Sequence, residues 1–488
     1  MPGTRRSTFA TESFTWHLNS VSGSGKAAGP ARLSPARTYF GQAGASVRRV
    51  ELKRPFLYLP VAGLLLLLLY WAATHVSFGG GAPAQPELGI SNQQLAKIEE
   101  RQNAPGSVAD YKRLDQRLQA LMRNERMVGL AVGVVENGEI RFLKGYGETV
   151  AGSGEAVTTD TVFRWASLSK GVAGDMVALL ADQGKLSLYE PIAKYSASLR
   201  LPGGNEQKAT VADLLSHRLG LFSHANDSKL EDGMDPRFLR ASLVQLNSIC
   251  SPGSCWAYQN VAYDAATEVV EKVTGQSYAE AVRERLFAPL GMVSASMTRE
   301  GLVTARRWAR PHVGGKNSKP VEVVEPYYRV PAAGGVNSTI KDLAIWMQAQ
   351  MGLKSAVLSP RVLEAVQTAR VSTPGELGRM RKFRERVRTA AYGLGWRVYD
   401  YSGHRVIGHH GGVRGYRSLI MFDPVLKSGV VALWNGSSGQ PWGLEYEVMD
   451  MFYRLEPRDW LQLDEAPAAE SAVEESEGNN NSVEAVGN

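Results

Sequence analysis

The chain has 488 residues, with 55 Lys and Arg against 48 Asp and Glu and a formal net charge of +7. Residues 1–54 hold nine bases and two acids, the tail after Gln462 holds seven acids and no base, and the excess left over the middle is too thin to suggest nucleic-acid binding. Two cysteines without neighbouring histidines make no zinc site, and Gly23-Ser24-Gly25-Lys26 lacks the upstream glycine and strand of a phosphate loop, so no metal and no cofactor are expected.

In chain order, residues 1–54 read as a disordered basic leader. Residues 55–75 form a strongly apolar run, unbroken leucine over 64–69, about long enough to cross a bilayer. Arg48, Arg49, Lys53 and Arg54 precede it, and no Lys or Arg follows until Lys97. The positive-inside rule then leaves the N-terminus in the cytoplasm and exports the rest. The expectation is a single-pass inner-membrane protein with a periplasmic domain. A signal peptide cleaved near Ala82-Pro83-Ala84, with release to the periplasm, is the alternative. So long a leader is unusual before an export signal, and a true start near Val47 or Val50 would account for it.

Residues 76–108 read as a linker rich in Gly, Ala, Pro and Gln, with a short helical stretch near 93–102. The folded domain is expected over 109–462. It opens with an amphipathic helix at 110–124 and two strands, 130–135 and 140–143, around the hairpin signal Asn137-Gly138. A helix follows at 172–180, and the middle, 205–300, is mostly helical by periodicity. Cys250 and Cys255 flank the turn Ser251-Pro252-Gly253-Ser254. In an exported domain they are expected to form a disulfide, with two buried thiols as the alternative.

The basic cluster 379–388 reads as a solvated loop or helix face, with contact to anionic lipid or wall polymer as the sharper alternative. Strands return at 393–398, 404–407, 417–422 and 429–434, and residues 463–488 read as a disordered acidic tail. Strands at both ends with helices between imply an α/β (α+β) domain. One antiparallel sheet is built from both chain ends, helices cover it, and the middle forms a helical subdomain.

The chemistry centres on Ser167-Leu168-Ser169-Lys170 at the start of the 172–180 helix. The i,i+3 spacing puts both side chains on one face. A desolvated lysine there loses its proton and draws the proton off the serine. A second copy, Ser338-Thr339-Ile340-Lys341, has a simpler reading as a helix cap through Thr339 and Asp342. Tyr258-Gln259-Asn260 is the chain's one Tyr-x-Asn. A tyrosine beside a cation relays protons more easily, and an asparagine amide holds a lysine or a substrate carbonyl. In Gly408-His409-His410-Gly411-Gly412 the glycines let a substrate backbone approach closely, and a bared N–H there pairs with that of Ser167 as an oxyanion hole. His217 reads as a structural hydrogen-bonding residue, and His312-Val313-Gly314 shows how common the His-x-Gly pattern is.

Taken together the chain resembles the serine β-lactamase and D-Ala-D-Ala peptidase family, in its class C-like branch of β-lactamases, peptidases, esterases and amidases. The resemblance runs from about residue 109 to 455. It is carried by TDTVFR (159–164), GKLSL (184–188), LLSHRLGL (214–221), PGSCWAYQN (252–260), LFAPLGM (286–292), AAGGVNSTIKDLA (332–344), YGLGW (392–396) and GHHGGVRGY (408–416).

The resemblance implies acylation of Ser167, activation by Lys170, proton relay by Tyr258, and contact of Asn260 with Lys170 or the substrate amide. It also places His409 where the Lys-Thr-Gly motif has lysine, and gives the oxyanion hole to the N–H groups of Ser167 and Gly412, beside Gly411. A histidine grips a carboxylate less well than lysine, and Arg414 is the expected replacement charge. The favoured reading is a membrane-anchored serine hydrolase acting on an ester or amide, with a small-molecule or cell-wall peptide substrate. A class C-like β-lactamase and a non-catalytic penicillin-binding-like sensor are the alternatives.

Overall fold

The computed structural model describes residues 89–102 and 106–464. The leader, the expected membrane span at 55–75 and the tail from 465 lie outside the described residues. Among the described residues no helix is long and apolar enough to cross a membrane.

Helix α1 (Asn92–Arg101) falls within the segment read as a linker. The Ser91 hydroxyl accepts from the Gln94 N–H, and the Gln94 side chain accepts from the Ser91 N–H, closing a reciprocal cap. Its Ile98 is buried against the domain core. Helix α2 (Tyr111–Leu121) starts at Asp110, whose carboxylate accepts from the Arg113 N–H, and it buries Tyr111, Leu114, Leu118 and Leu121 along one face. Strands β1 (Gly129–Glu136) and β2 (Glu139–Gly147) form the expected hairpin. Its corner residues Asn137 and Gly138 have φ of 52° and 84°, the left-handed pair that a tight two-residue turn requires.

A two-stranded ribbon joins β3 (Val162–Arg164) to β4 (Asn337–Thr339). Between them in sequence runs α3 (Ser169–Asp182), buried along nearly its whole length, and β4 leads into α4 (Ile340–Gln350). The remaining strands are β5 (Val371–Ser372), β6 (Val387–Tyr392), β7 (Arg397–Tyr401), β8 (His404–Val413), β9 (Tyr416–Asp423) and β10 (Ser428–Trp434), and α5 (Leu444–Tyr453) follows. The main sheet is antiparallel throughout, in the order β2-β1-β10-β9-β8-β7-β6-β5. Its seam, from Leu130 opposite Trp434 to Val135 opposite Gly429, joins the two chain ends. The mixed fold with one antiparallel sheet from both ends is therefore as expected.

Burial on both faces explains why the central strands read as near-continuous hydrophobic runs. Ala131, Val135, Ile420, Phe422, Val431 and Leu433 enter the core shared with α3 and α4. Leu130, Val132, Val134, Leu419, Met421, Val430 and Ala432 enter a second core beneath α2 and α5. Successive side chains leave a strand on opposite faces, so a sheet covered on both sides needs no polar positions.

Two strand expectations are corrected. Residues 393–396 form a turn, not the start of a strand, because Gly395 sits at φ 82° and Gly393 lies against the Val366 carbonyl. The strand before it, β6, begins inside the basic cluster. There Arg379 ends the helix Pro374–Arg379 and Arg388 lies on the strand, so only part of the cluster is loop or helix face.

Candidate active site

Ser167 lies on a one-turn 3₁₀ helix, Ala166–Leu168, that continues directly into α3. The turn is entered at Ala166 with φ 49°, a left-handed conformation that costs an alanine roughly 1–2 kcal/mol. The Ser418 hydroxyl donates to the Trp165 carbonyl at 2.6 Å and ties this turn to β9. One turn on, the Lys170 ammonium is 3.4 Å from Ser167 Oγ and donates to Asn260 Oδ1 at 2.7 Å and to the Ala333 carbonyl at 2.9 Å. Tyr258 and Tyr263 present their rings to it, with centroids at 4.7 and 5.5 Å.

Lys170 is fully buried. Loss of hydration brings its pKa down to about 7; the carboxylates of Asp227 and Asp264 oppose the fall and Arg397 adds to it. A neutral amine is thus accessible at neutral pH beside the serine hydroxyl.

Tyr258 faces Ser167, which acts on its phenol. The proximity of a cation was expected to favour phenolate. Burial outweighs it and holds the phenol above its ordinary range, with Ser167 and Arg397 pulling the other way. Tyr258 therefore rests as a phenol, suited to handing a proton to a leaving group and regaining it. Beneath it His217 stacks at 4.4 Å, and Tyr263 and Tyr392 each lie 4.9 Å from the same imidazole. His217 accepts from the Gln259 N–H at 3.2 Å, and burial holds it well below the ordinary histidine range. It is a neutral packing residue, as the sequence suggested.

The facing wall is β8. Its pairing with β7 ends at Gly408, opposite Arg397, so residues 409–413 pair with β9 alone. A Cβ at Gly411 would fall 2.2 Å from both the Trp165 carbonyl oxygen and Ser418 Oγ, and 3.1 Å from the Ser167 nitrogen. Glycine is what lets the strand lie against the Ser167 turn. Gly412 is exposed at the strand edge.

His409 stands on β8, just past the end of its pairing with β7. It is 3 % exposed, and both ring nitrogens are engaged: Nδ1 with the His410 carbonyl at 2.6 Å, Nε2 with Tyr392 Oη at 3.0 Å. A carbonyl only accepts, so Nδ1 carries the hydrogen and Nε2 accepts from the tyrosine. Burial, then Arg397 and Lys170, hold His409 well below the ordinary range, hence neutral. It shapes the wall and offers a substrate carboxylate no charge. Arg414 stands at the exposed tip of the β8–β9 hairpin, at the end of the strand edge.

Sequence reasoning passed over Arg397. Its guanidinium lies 6.0 Å from the Tyr258 ring and 5.9 Å from the Tyr392 ring, and it is salt-bridged to Glu376. Its position directly after the YGLGW motif was the available signal. The second Ser-x-x-Lys is structural. Ser338 Oγ accepts from Trp165 Nε1 at 2.9 Å, Thr339 caps α4, and Lys341 pairs with Asp160 at 2.7 Å. His312 is fully buried, with Nδ1 2.8 Å from the Arg310 carbonyl.

Cys250 and Cys255 form the expected disulfide. Cys255 lines a cleft of about 680 Å³ together with Trp256, Tyr258, His224 and the 371–376 segment. Among the described residues no cluster of three or more His, Cys, Asp or Glu is arranged to hold a metal.

One family profile, Beta-lactamase, matches residues 114–449 of the chain. The chain belongs to the β-lactamase family. Members of this family are serine hydrolases, and this chain is one of them. A β-lactamase-family relative, "Penicillin-binding protein 4" of Amycolatopsis lactamdurans, is 30% identical over 339 residues, 67% of this chain and 86% of that protein. "Esterase EstB" of Burkholderia gladioli is 33% identical over 221 residues, 42% of this chain and 55% of the esterase. Among solved structures, the octameric penicillin-binding protein homologue from Pyrococcus abyssi aligns with a TM-score of 0.65 at 24% identity, covering 72% of this chain and 80% of that one.

Proposed function

We propose that the chain hydrolyses an ester or amide through an acyl-enzyme on Ser167. The observation that carries this is the convergence of Ser167, the buried Lys170 and Tyr258 beside a strand edge left open at residues 409–413. Neutral Lys170 takes the Ser167 proton as Oγ attacks the acyl carbonyl. The N–H groups of Ser167 and Gly412 receive the oxyanion. Tyr258 protonates the departing oxygen or nitrogen, and water then releases the acyl group by the reverse proton path. Asn260 holds Lys170 at 2.7 Å and borders the substrate amide.

The open edge of β8 suits an extended acyl chain added as a further strand, which favours a peptide-like substrate such as a cell-wall peptide. Efficient β-lactam hydrolysis is the less favoured reading. The charge expected of lysine is replaced by a neutral, buried His409, and Arg397 is engaged by Glu376. Arg414, exposed at the hairpin tip, offers a cation for a substrate carboxylate. An anchor at 55–75 with the catalytic domain in the periplasm completes the reading, and the Cys250–Cys255 disulfide is compatible with an oxidising compartment.

The purified protein would be offered a chromogenic cephalosporin, short 4-nitrophenyl esters and D-Ala-D-Ala peptides, and kcat/KM compared. Ester or peptide turnover that vanishes in Ser167→Ala is expected. Cephalosporin turnover that outpaces both would overturn the substrate assignment, and Ser167→Ala activity would overturn the nucleophile. Membrane fractionation with and without residues 1–75 tests the anchor.

A further inference from the structure

A chain of hydrogen bonds leads from the catalytic lysine to the cleft wall. Lys170 Nζ donates to Asn260 Oδ1 at 2.7 Å, Asn260 Nδ2 donates to Asp227 Oδ2 at 2.6 Å, and the same oxygen lies 2.8 Å from His224 Nδ1. A carboxylate only accepts, which fixes two orientations. The Asn260 amide must turn its NH₂ to Asp227 and its oxygen to Lys170. His224 must carry its hydrogen on Nδ1, leaving the far edge of the ring to the cleft.

The backbone holds the two ends together. The His224 N–H donates to the Tyr258 carbonyl at 2.8 Å, and the Asp227 N–H donates to the His224 carbonyl at 3.1 Å. His224 and Asn226 both take left-handed φ, 59° and 63°, which costs non-glycine residues energy and bends the 222–227 loop so that His224 stands over the cleft. Its side chain is 54 % exposed, whereas that of Asp227 is 12 % exposed, and Asp227 Oδ1 is buried without a hydrogen-bond partner among the described residues.

We propose that Asp227 is a positioning residue of the acyl-transfer site, acting on Lys170 through Asn260, and that His224 is the substrate-contacting residue that Asp227 holds on the cleft wall. The inference rests on the acyl-serine reading above and adds to it a carboxylate and a histidine from outside the Ser-x-x-Lys, Tyr-x-Asn and His-His-Gly segments.

Physically, Asp227 does two things. It pins the Asn260 amide in the orientation that accepts from Lys170, and it places a negative charge one amide away from the ammonium. The charged groups acting on Lys170 are the carboxylates of Asp227 and Asp264 and the guanidinium of Arg397, with the Tyr258 and Tyr263 rings against it and His217 and His409 nearby. Asp264 is already paired with Arg240 at 2.8 Å. Among the described residues Asp227 pairs with no arginine or lysine, only with His224, so it is the less compensated anion. An anion favours the protonated amine, so removing it lowers the lysine's pKa. At a separation of two hydrogen bonds the expected shift is about half a unit to two units, depending on local screening.

The test uses full-length protein and 4-nitrophenyl butyrate. Asp227→Asn keeps a hydrogen-bond acceptor of the same shape and removes the charge. The rising limb of its kcat/KM profile is expected to move to lower pH by about half a unit or more. Asp227→Ala also frees the Asn260 amide, and kcat is expected to fall roughly 10–100-fold with the fold intact by thermal melting. His224→Ala is expected to raise KM more than it lowers kcat, and His224→Gln, which keeps an N–H, to restore part of the loss. A profile for Asp227→Asn that superimposes on the parent's overturns the role of Asp227, and an unchanged KM in His224→Ala overturns that of His224. Ser167→Ala runs alongside. If it still turns over, the acyl-serine reading fails; if it is inactive while Asp227→Asn matches the parent, only this inference fails.

Discussion

Gly411→Ala adds one methyl group at the point where β8 crosses the nucleophile turn. The new carbon would sit 2.2 Å from the Trp165 carbonyl oxygen, 2.2 Å from Ser418 Oγ and 3.1 Å from the Ser167 nitrogen. An ordinary contact needs a separation larger by about 1 Å or more. Two of the three obstacles are backbone atoms, and Ser418 Oγ is itself bonded to the Trp165 carbonyl at 2.6 Å, so none can rotate away cheaply. The strand must instead back off from Ser167. A displacement near 1 Å in a pre-positioned site costs roughly 100-fold, and loss of one oxyanion donor costs about 10²–10³-fold in kcat. The expected result is a fall of at least 100-fold in the rate of Ser167 acylation, measured by stopped-flow release of 4-nitrophenol and by intact mass. Strain in the packing should also lower stability by about 1–3 kcal/mol. Gly378→Ala is the control. A Cβ there meets nothing within 4 Å and lies outside the proposed catalytic machinery, so a change within a few-fold is expected. A Gly411→Ala enzyme that acylates at the parental rate would refute the claim that glycine is what brings the two walls together.

Three further outcomes are expected. With Lys170 as the proposed base and burial bringing its pKa to about 7, kcat/KM should rise with pH through a midpoint near 7; Lys170→Arg, whose guanidinium keeps its proton, should lose about 10²–10⁴-fold on the plateau above pH 7. Asp175 is fully buried, accepting from Trp346 Nε1 at 2.8 Å and Gln350 Nε2 at 2.6 Å, and burial pushes its pKa up to about 7. The folded state then binds a proton that the unfolded chain releases near pH 4, so this group lowers stability progressively as pH rises from about 4 to 7. Urea melts should show that slope in the parent and a flatter profile in Asp175→Asn. Opening the short Cys250–Cys255 loop should cost only roughly 2 kcal/mol by loop entropy. Because Cys255 lines the cleft, Cys255→Ser should change KM for bulky acyl esters more than it changes the melting temperature.

The sheet was legible because its central strands are covered on both faces and flanked by clear turns. β1 and β10 appear as near-continuous apolar runs, β9 carries the apolar stretch Leu419 to Phe422, and Asn137-Gly138 marks the hairpin. β6 was not, since Arg388 and Thr389 are exposed and the strand emerges from a basic stretch that periodicity cannot separate from a loop. At the site, Ser167, Lys170, Tyr258 and Asn260 could be found because each sits in a short, ordered pattern. The burial that brings Lys170 down and keeps Tyr258 protonated is a property of the assembled core, and no local pattern carries it. Arg397, Asp227 and His224 reach the centre from segments that share no motif with it. The i,i+3 spacing of His224 and Asp227 is visible in sequence, but its meaning depends on the loop that turns them toward Asn260.

The seam between β1 and β10 sets the order in which this catalyst comes into being. Leu130 cannot find Trp434 until almost the whole domain has been synthesised, and β8 and β9, which supply the wall facing Ser167, are among the last segments made. Contacts so distant in sequence fold slowly, and partly collected sheets expose strand edges to their neighbours in the meantime. The nucleophile helix is therefore complete well before its opposing strand exists. A nascent chain that stops short of β8 carries Ser167 and Lys170 but no closed reaction centre, so hydrolysis waits until the last strands of the domain have been made.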